Sequence, residues 1–410
     1  MAGVNGGNGK RARSLPIEMH IPPKYIDPVR ALPSYYRGLV NGVSHREQTD
    51  LRIQIRVRRI VLFNTKYSEK LRRLIKLALL HVFKITGLFY ICRCGTRNGL
   101  RILCYHGTID REERVKPKLF MQARTFEKRM RFLRTRGFPI VPLAVAFEGL
   151  GSGTLPDHAT VITIDDGWDG TYRYALPILE EFQVPATLYV TTSYLGTGIA
   201  NIANLLEYAM RGSRASSLML PDLPETISGP WHLKDEQSLN QGLEALISYS
   251  ESLEPAGRVA LARTVVERLG LDWHGFEARK MFYMMDESQI RAFAAAGMDI
   301  QLHTHRHRRR YHDEATFERD IADNRHALSA LVPGPFDHFC YPYGSYASRQ
   351  FPWLEAAGVK SATTCKSHFN YADTPRYELG RFLDGEDVSQ IEFEAEMSGV
   401  LEVLRRFRIL

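Results

Sequence analysis

The chain has 410 residues, 44% of them hydrophobic and 24% charged, a composition that suits a globular protein with a full core and fits neither a membrane-spanning nor a disordered chain. Its net charge of +8 is unevenly placed. Residues 1–99 hold 19 Lys/Arg against 5 Asp/Glu, so the rest of the chain is mildly acidic and a poor candidate for nucleic-acid binding.

Residues 1–67 read as a basic tail, rich in Gly, Asn, Pro and Arg up to Val43, with an alternating apolar and basic run over Leu51–Phe63 that suits a short strand or arm. Lys10, Arg11 and Arg13 are not followed by an apolar run, so no secretory signal is predicted and a cytoplasmic location is expected. Residues 68–98 change character. Leu71, Leu74, Ile75, Ala78, Leu79 and Val82 recur at helical spacing among Lys70, Arg72, Arg73 and Lys76, which predicts a basic amphipathic helix over Ser68–Tyr90. Two readings stay open: its apolar face packs on the following domain, or it lies on the anionic inner face of a membrane. The stretch Leu74–Ile91 is broken by Lys76, His81 and Lys84 and lacks the roughly 18–20 clean apolar residues of a spanning helix. The five cysteines, Cys92, Cys94, Cys104, Cys340 and Cys365, have no scaffold or zinc-site spacing and read as buried or incidental thiols in a reducing compartment.

From residue 99 to 410 the pattern is strand, helix, strand. Strands are predicted at Arg101–Tyr105, Ile140–Val141, Thr160–Ile164, Ala186–Val190, Asp299–Leu302, Phe339–Tyr341 and Lys360–Thr364. Helices are predicted at Phe126–Gly137, Tyr174–Phe182, Ser288–Ala296, Thr316–Leu331 and Phe351–Ala357, with a closing helix at Ser389–Phe407. This rhythm means parallel strands with crossovers. Residues 196–280 interrupt it and read as a helical insertion, with helices at Asn240–Leu253 and Gly257–Leu269.

Two motifs carry chemistry. Asp165-Asp166-Gly167-Trp168 ends an apolar strand, which is the end of a parallel barrel where active sites lie. Adjacent desolvated carboxylates repel, and a metal or a shared proton resolves the conflict. His303-Thr304-His305-Arg306-His307 also follows a strand; two histidines four apart with one carboxylate make a three-ligand metal site with an open position. Read blandly, the first is a solvated Asp turn and the second a His/Arg-rich loop.

These blocks resemble the polysaccharide deacetylase (NodB-homology) family from about Leu103 to Gly399. Thr163-Ile164-Asp165-Asp166-Gly167 is similar to the family's T-F-D-D-G, and His303 to His307 to its H-[ST]-x-x-H. Tyr341-Pro342-Tyr343-Gly344 resembles its cleft-wall block, Leu379-Gly380-Arg381-Phe382 its late L-P-R-I block, and Cys104-Tyr105-His106-Gly107 its opening strand. The resemblance implies an α/β fold, a distorted (β/α) barrel of seven strands. It implies Asp165 as general base and Asp166, His303 and His307 as ligands of a divalent metal, zinc first. The arginine that often precedes the third block is missing here, and Arg381 is the candidate to orient Asp165. The late histidine that acts as general acid has no firm counterpart; His368 is the nearest, and His106 is a second histidine that can face the site. Tyr343 is expected to supply an oxyanion contact through its backbone, and Trp168 is among the aromatics that can stack on a sugar.

The expected activity is hydrolysis of an N-acetyl, less readily an O-acetyl, group on a polysaccharide, oligosaccharide or lipid-linked sugar. A hydrolase of non-sugar amide or formyl groups and a non-catalytic glycan-binding barrel remain as alternatives.

Overall fold

The computed structural model describes residues 69–110 and 119–407. The tail and arm predicted over 1–67 lie outside the described residues.

Seven parallel strands make the core: β1 (Arg101–Tyr105), β2 (Thr160–Asp166), β3 (Thr187–Val190), β4 (Asp299–Leu302), β5 (His338–Cys340), β6 (Ser361–Thr363) and β7 (Phe382–Leu383). They are ordered β6-β5-β4-β3-β2-β1-β7 in space. All seven residues of β2 are buried, as expected of a parallel strand covered on both faces. Alternation sorts their side chains. Leu103, Tyr105, Ile162, Ile164, Leu188, Val190, Ile300 and Leu302 join the cluster beneath the helices, whereas Ile102, Val161, Tyr189 and Cys340 form a separate inner cluster. On β2 the same period leaves Thr163 and Asp165 on the inner face.

The ring is closed by irregular chain. β6 and β7 do not pair directly; instead Leu379 lies beside Thr363, its N–H donating to Ala362 O at 3.0 Å and its carbonyl accepting from Thr364 N at 2.8 Å. Three residues later the same segment pairs with β1 through Phe382 and Leu383. The fold is therefore the expected seven-stranded distorted barrel. β7, only two residues long, is not predicted from the sequence, and Ile140–Val141, predicted as a strand, supplies only an isolated bridge to Thr160.

The insertion has its own core. Helices Ile202–Gly212, Glu236–Glu251, Pro255–Arg268 and Trp273–Arg279 pack through Leu205, Leu206, Leu246, Val265 and Val266. Two predicted helices are broken. The front one runs Glu69–Ile85 and then Leu88–Gly95, bent by 78° at Gly87, whose φ is 81°. The closing one runs Gln390–Met397 and Val400–Arg406, separated at Gly399. Leu77, Leu80 and Phe83 of the front helix pack on Ile391, Ala395, Val400 and Leu401 of the closing pair. Lys76 pairs with Glu392 at 3.0 Å, and Lys84 pairs with Glu394.

Gly170 stands where the chain after the Asp165-Asp166 turn passes the first strand's exit. A Cβ there would lie 1.9 Å from the Thr108 carbonyl oxygen, a backbone atom that cannot rotate away. Gly170→Ala is expected to cost about 1–3 kcal/mol or more by overpacking, read as a lowered midpoint of urea unfolding at unchanged slope.

Candidate metal and acid–base site

The ends of β1, β2, β4, β5 and β6 converge on one cleft of about 740 Å³. Asp166 is the last residue of β2 and has a left-handed backbone (φ 76°), as do Thr304 (φ 63°), His307 (φ 52°) and Tyr343 (φ 58°). Four non-glycine residues in this region, on the three loops that follow β2, β4 and β5, mark backbone strain concentrated where chemistry is done.

Three donor atoms meet in a near-equilateral triangle. His303 Nε2 is 3.2 Å from Asp166 Oδ1, His307 Nε2 is 3.3 Å from the same oxygen, and the two Nε2 atoms are 3.2 Å apart. Ligands held tetrahedrally at about 2.0–2.1 Å from a zinc ion are about 3.3 Å from one another. The surroundings orient two of the three donors. His303 Nδ1 lies 2.9 Å from the Cys340 carbonyl, which can only accept, so Nδ1 is the donating nitrogen and Nε2 faces the triangle. Trp168 Nε1 donates to Asp166 Oδ2 at 2.8 Å, leaving Oδ1 for the histidines. Asn324, fully buried, accepts from His303 N and donates to Val190 O. Burial opposes a charged His303, but Cys340 and Asp166 outweigh it and raise the imidazole well above its ordinary value. The donor set and its spacing fit a divalent metal.

Asp165 faces the same cleft and is not one of the triangle. Arg381 holds it in a bidentate pair, Nη1 to Oδ1 at 2.7 Å and Nη2 to Oδ2 at 2.8 Å. Burial alone would raise this carboxyl, but the guanidinium outweighs it and keeps Asp165 well below the usual carboxylate range. Arg381 is itself fully buried, anchored through Nε to the Thr364 carbonyl at 2.9 Å. The orienting arginine thus reaches Asp165 from the segment that closes the barrel. Sequence reasoning missed the company they keep: Cys104 Sγ and Cys340 Sγ lie 3.5 and 3.4 Å from Asp165 Oδ2. The signal was available, since both cysteines sit in strand positions of the same inward parity as Asp165.

The remaining candidates separate. His106 lines the cleft, its Nε2 3.9 Å from Asp165 Oδ2, and its Nδ1 is buried without a hydrogen-bond partner among the described residues. His368 is not among the cleft residues. Its Nδ1 lies 3.1 Å from the Phe369 carbonyl and its ring lies flush against Gly380, where a Cβ would come within 2.6 Å of it. His368, expected as the general acid, thus packs its ring against the closing segment and does not line the cleft, whereas His106 does. Trp168 lines the cleft but is 4% exposed, packed on Phe120 and bonded to a ligand, so it positions Asp166 rather than offering a free stacking face. Tyr343 is 64% exposed at the rim, its ring 4.8 Å from that of His307. The insertion supplies the opposite wall through Asn204, Glu207, Tyr208, Arg211, Ile247 and Glu251.

Residues 152–223 and 262–362 match the family described as polysaccharide deacetylase. The chain is 34% identical over 103 residues to the poly-beta-1,6-N-acetyl-D-glucosamine N-deacetylase of Escherichia coli K12, an overlap of 24% of this chain and 15% of that protein. The chain thus spans about 15% of the length of the curated relatives it matches. Among solved structures it is similar to IcaB from Ammonifex degensii (20% identity, TM-score 0.47, 73% of this chain and 97% of that one). It is also similar to the Streptococcus pyogenes deacetylase PplD in complex with acetate (16% identity, TM-score 0.48, 73% and 98%).

Proposed function

We propose, from the match of residues 152–223 and 262–362 to the polysaccharide deacetylase family, that the chain hydrolyses the N-acetyl group of an amino sugar in a glycan, with a divalent metal, zinc first, held by Asp166, His303 and His307. The observation that carries this reading is the pairing of a metal-sized donor triangle with a separate, ionised carboxylate in one cleft. When bound, such a metal lowers the pKa of water and polarises an acyl oxygen. The chain's own residues do the rest. Asp165, held ionised by Arg381, accepts the proton of the attacking water. His106, with Nε2 3.9 Å from Asp165 Oδ2 and Nδ1 unpartnered among the described residues, donates a proton to the leaving amine. The backbone N–H of Tyr343 is the candidate donor to the oxygen that gains charge. A cleft of about 740 Å³ walled by the insertion suits an oligosaccharide. The test is acetate release by the purified chain from N-acetylated oligosaccharides, with metal content measured on the same sample. Metal without acetate release on any glycan would favour a non-sugar amide.

A lipid-linked sugar and a site of action at the cytoplasmic membrane face belong to this proposal through the front helices. Helix Glu69–Ile85 is apolar on two sides. One side packs on the closing helices, and the other leaves Leu74, Val82 and Ile85 uncovered, at 62%, 52% and 85% exposed, continued by Tyr90 and Ile91. Lys76 and Lys84 are spoken for by Glu392 and Glu394, so the apolar stripe supports a membrane contact better than the charge does. No single described helix is long and apolar enough to cross a membrane. Leu74→Glu/Ile85→Glu is expected to abolish co-sedimentation with lipid vesicles while acetate release from a soluble oligosaccharide is unchanged; equal sedimentation of both proteins would refute the contact.

A further inference from the structure

Three of the five cysteines gather where no incidental placement would put them. Cys104 of β1, Cys340 of β5 and Cys365, just after β6, surround the Asp165–Arg381 pair. Arg381 Nη2 lies 3.0 Å from Cys340 Sγ and 3.8 Å from Cys365 Sγ. Cys104 Sγ lies 3.5 Å from Asp165 Oδ2, and Cys365 Sγ lies 3.8 Å from the Arg381 Nη2 that pairs with that same oxygen, so the two thiols are neighbours across this pair, and both are free. Their access to solvent differs sharply. Cys104 and Cys340 are 0% exposed, whereas Cys365 is exposed and lines the cleft.

We propose that Cys365 is an oxidation site for small hydroperoxides and that Cys104 resolves it, closing a Cys104–Cys365 disulfide beside the catalytic base. The division of labour follows from the surroundings. The Cys104 hydrogen bond and the Arg381 cation lower the Cys365 thiol to about 6 against the opposing effect of burial, so at neutral pH it is a thiolate within reach of solvent. Burial raises Cys104 well above its ordinary value, which suits a second thiol that reacts only once its neighbour is activated. A low-pKa, accessible cysteine next to a resolving one is the arrangement of reversible thiol sensors.

The step balances. The Cys365 thiolate attacks one peroxide oxygen, the O–O bond breaks, and the second oxygen leaves as hydroxide that takes a proton to become water. The sulfenic acid on Cys365 is then attacked by the Cys104 sulfur. The S–O bond breaks, the oxygen departs with the Cys104 proton as a second water, and the S–S bond forms. Two thiols lose two electrons and hydrogen peroxide gains them. Closing the sulfurs to about 2.05 Å draws the turn after β6 toward β1 and takes Cys104 away from Asp165 Oδ2. Hydrolysis should fall and return on reduction.

The experiment treats the full chain with hydrogen peroxide, blocks remaining thiols by alkylation and maps the peptides by mass spectrometry, a readout independent of turnover and so of the proposed activity. The expected product is a peptide pair joined through Cys104 and Cys365, reopened by dithiothreitol. Cys104→Ser should stop at a sulfenic acid trapped by dimedone on Cys365, and Cys365→Ser should form neither the sulfenic acid nor the bond. Without oxidant, Cys365 should alkylate at least about tenfold faster than Cys94, exposed on the second front helix, at mildly acidic pH. Peroxide-treated protein with both thiols intact, or with Cys365 joined to Cys340 or to a second chain instead, would overturn the proposal.

Discussion

Asp166→Ala is expected to lose its metal and, with it, on the order of 10³-fold or more in acetate release, because water near its unperturbed pKa of about 15.7 is a poor nucleophile at neutral pH. The size of the effect follows from the geometry. Asp166 Oδ1 is the one anionic corner of the triangle, 3.2 Å from His303 Nε2 and 3.3 Å from His307 Nε2. Two imidazoles left alone neither neutralise a divalent charge nor complete a three-ligand site. Metal content by mass spectrometry and acetate release on the same sample decide it. Retention of one tightly bound ion with near-normal turnover would move the metal to another of the clustered donor groups, Cys104–His106–Asp165 or Asp165–His303–Cys340. Trp168→Phe removes the bond to Asp166 Oδ2 together with part of the packing on Phe120 and should show a milder version, a metal affinity lower by about 10–100-fold.

Asp165→Asn should separate the base from the metal: metal content unchanged, kcat lower by about 10²–10⁴-fold, and KM little altered. An amide of the same shape cannot accept the proton. The substitution also leaves Arg381 buried with its counter-charge gone, and breaking such a pair costs about 3–5 kcal/mol. Turnover must therefore be read where thermal melting shows the variant still folded. Asp165→Asn/Arg381→Met should recover part of the stability and none of the activity, which distinguishes lost catalysis from lost folding. The same pair sets an acid dependence. The folded carboxyl of Asp165 is held below its unfolded value of about 3.9, so its contribution to stability is fully present above that pH and is lost as pH falls through the depressed folded value. Acid unfolding of the wild type should accordingly be steeper below about pH 4 than that of the double variant.

Much of this site is legible in the chain itself. Parallel strands covered on both faces must be apolar throughout, so β1, β2, β3 and β4 stand out, and a metal needs donors of fixed type at fixed spacing, so His303, His307 and one carboxylate of the Asp165–Asp166 pair stand out, with Asp166 singled out by the family resemblance. Short or irregular pieces are not legible. β7 has two residues, too few to show a period, yet its segment closes the barrel and delivers Arg381 to Asp165. Periodicity over Ser68–Tyr90 reports an amphipathic helix but not the bend at Gly87, nor that both its faces are apolar for different reasons.

The choice between histidines shows where the boundary falls. His368 and His106 are equally titratable in sequence, and only the closing segment, which seats the His368 ring against Gly380 and leaves His106 at the mouth of β1, separates them. The cysteines make the same point more sharply: Cys104, Cys340 and Cys365 have no meaningful spacing along the chain. By itself the sequence determined which strands would be buried and which donors could share a metal, because periodicity and ligand chemistry are local properties. The tertiary structure alone decided which histidine and which thiols lie beside Asp165 and Arg381, because a barrel sets side by side strands that are far apart in sequence, and that neighbourhood is written in no single segment.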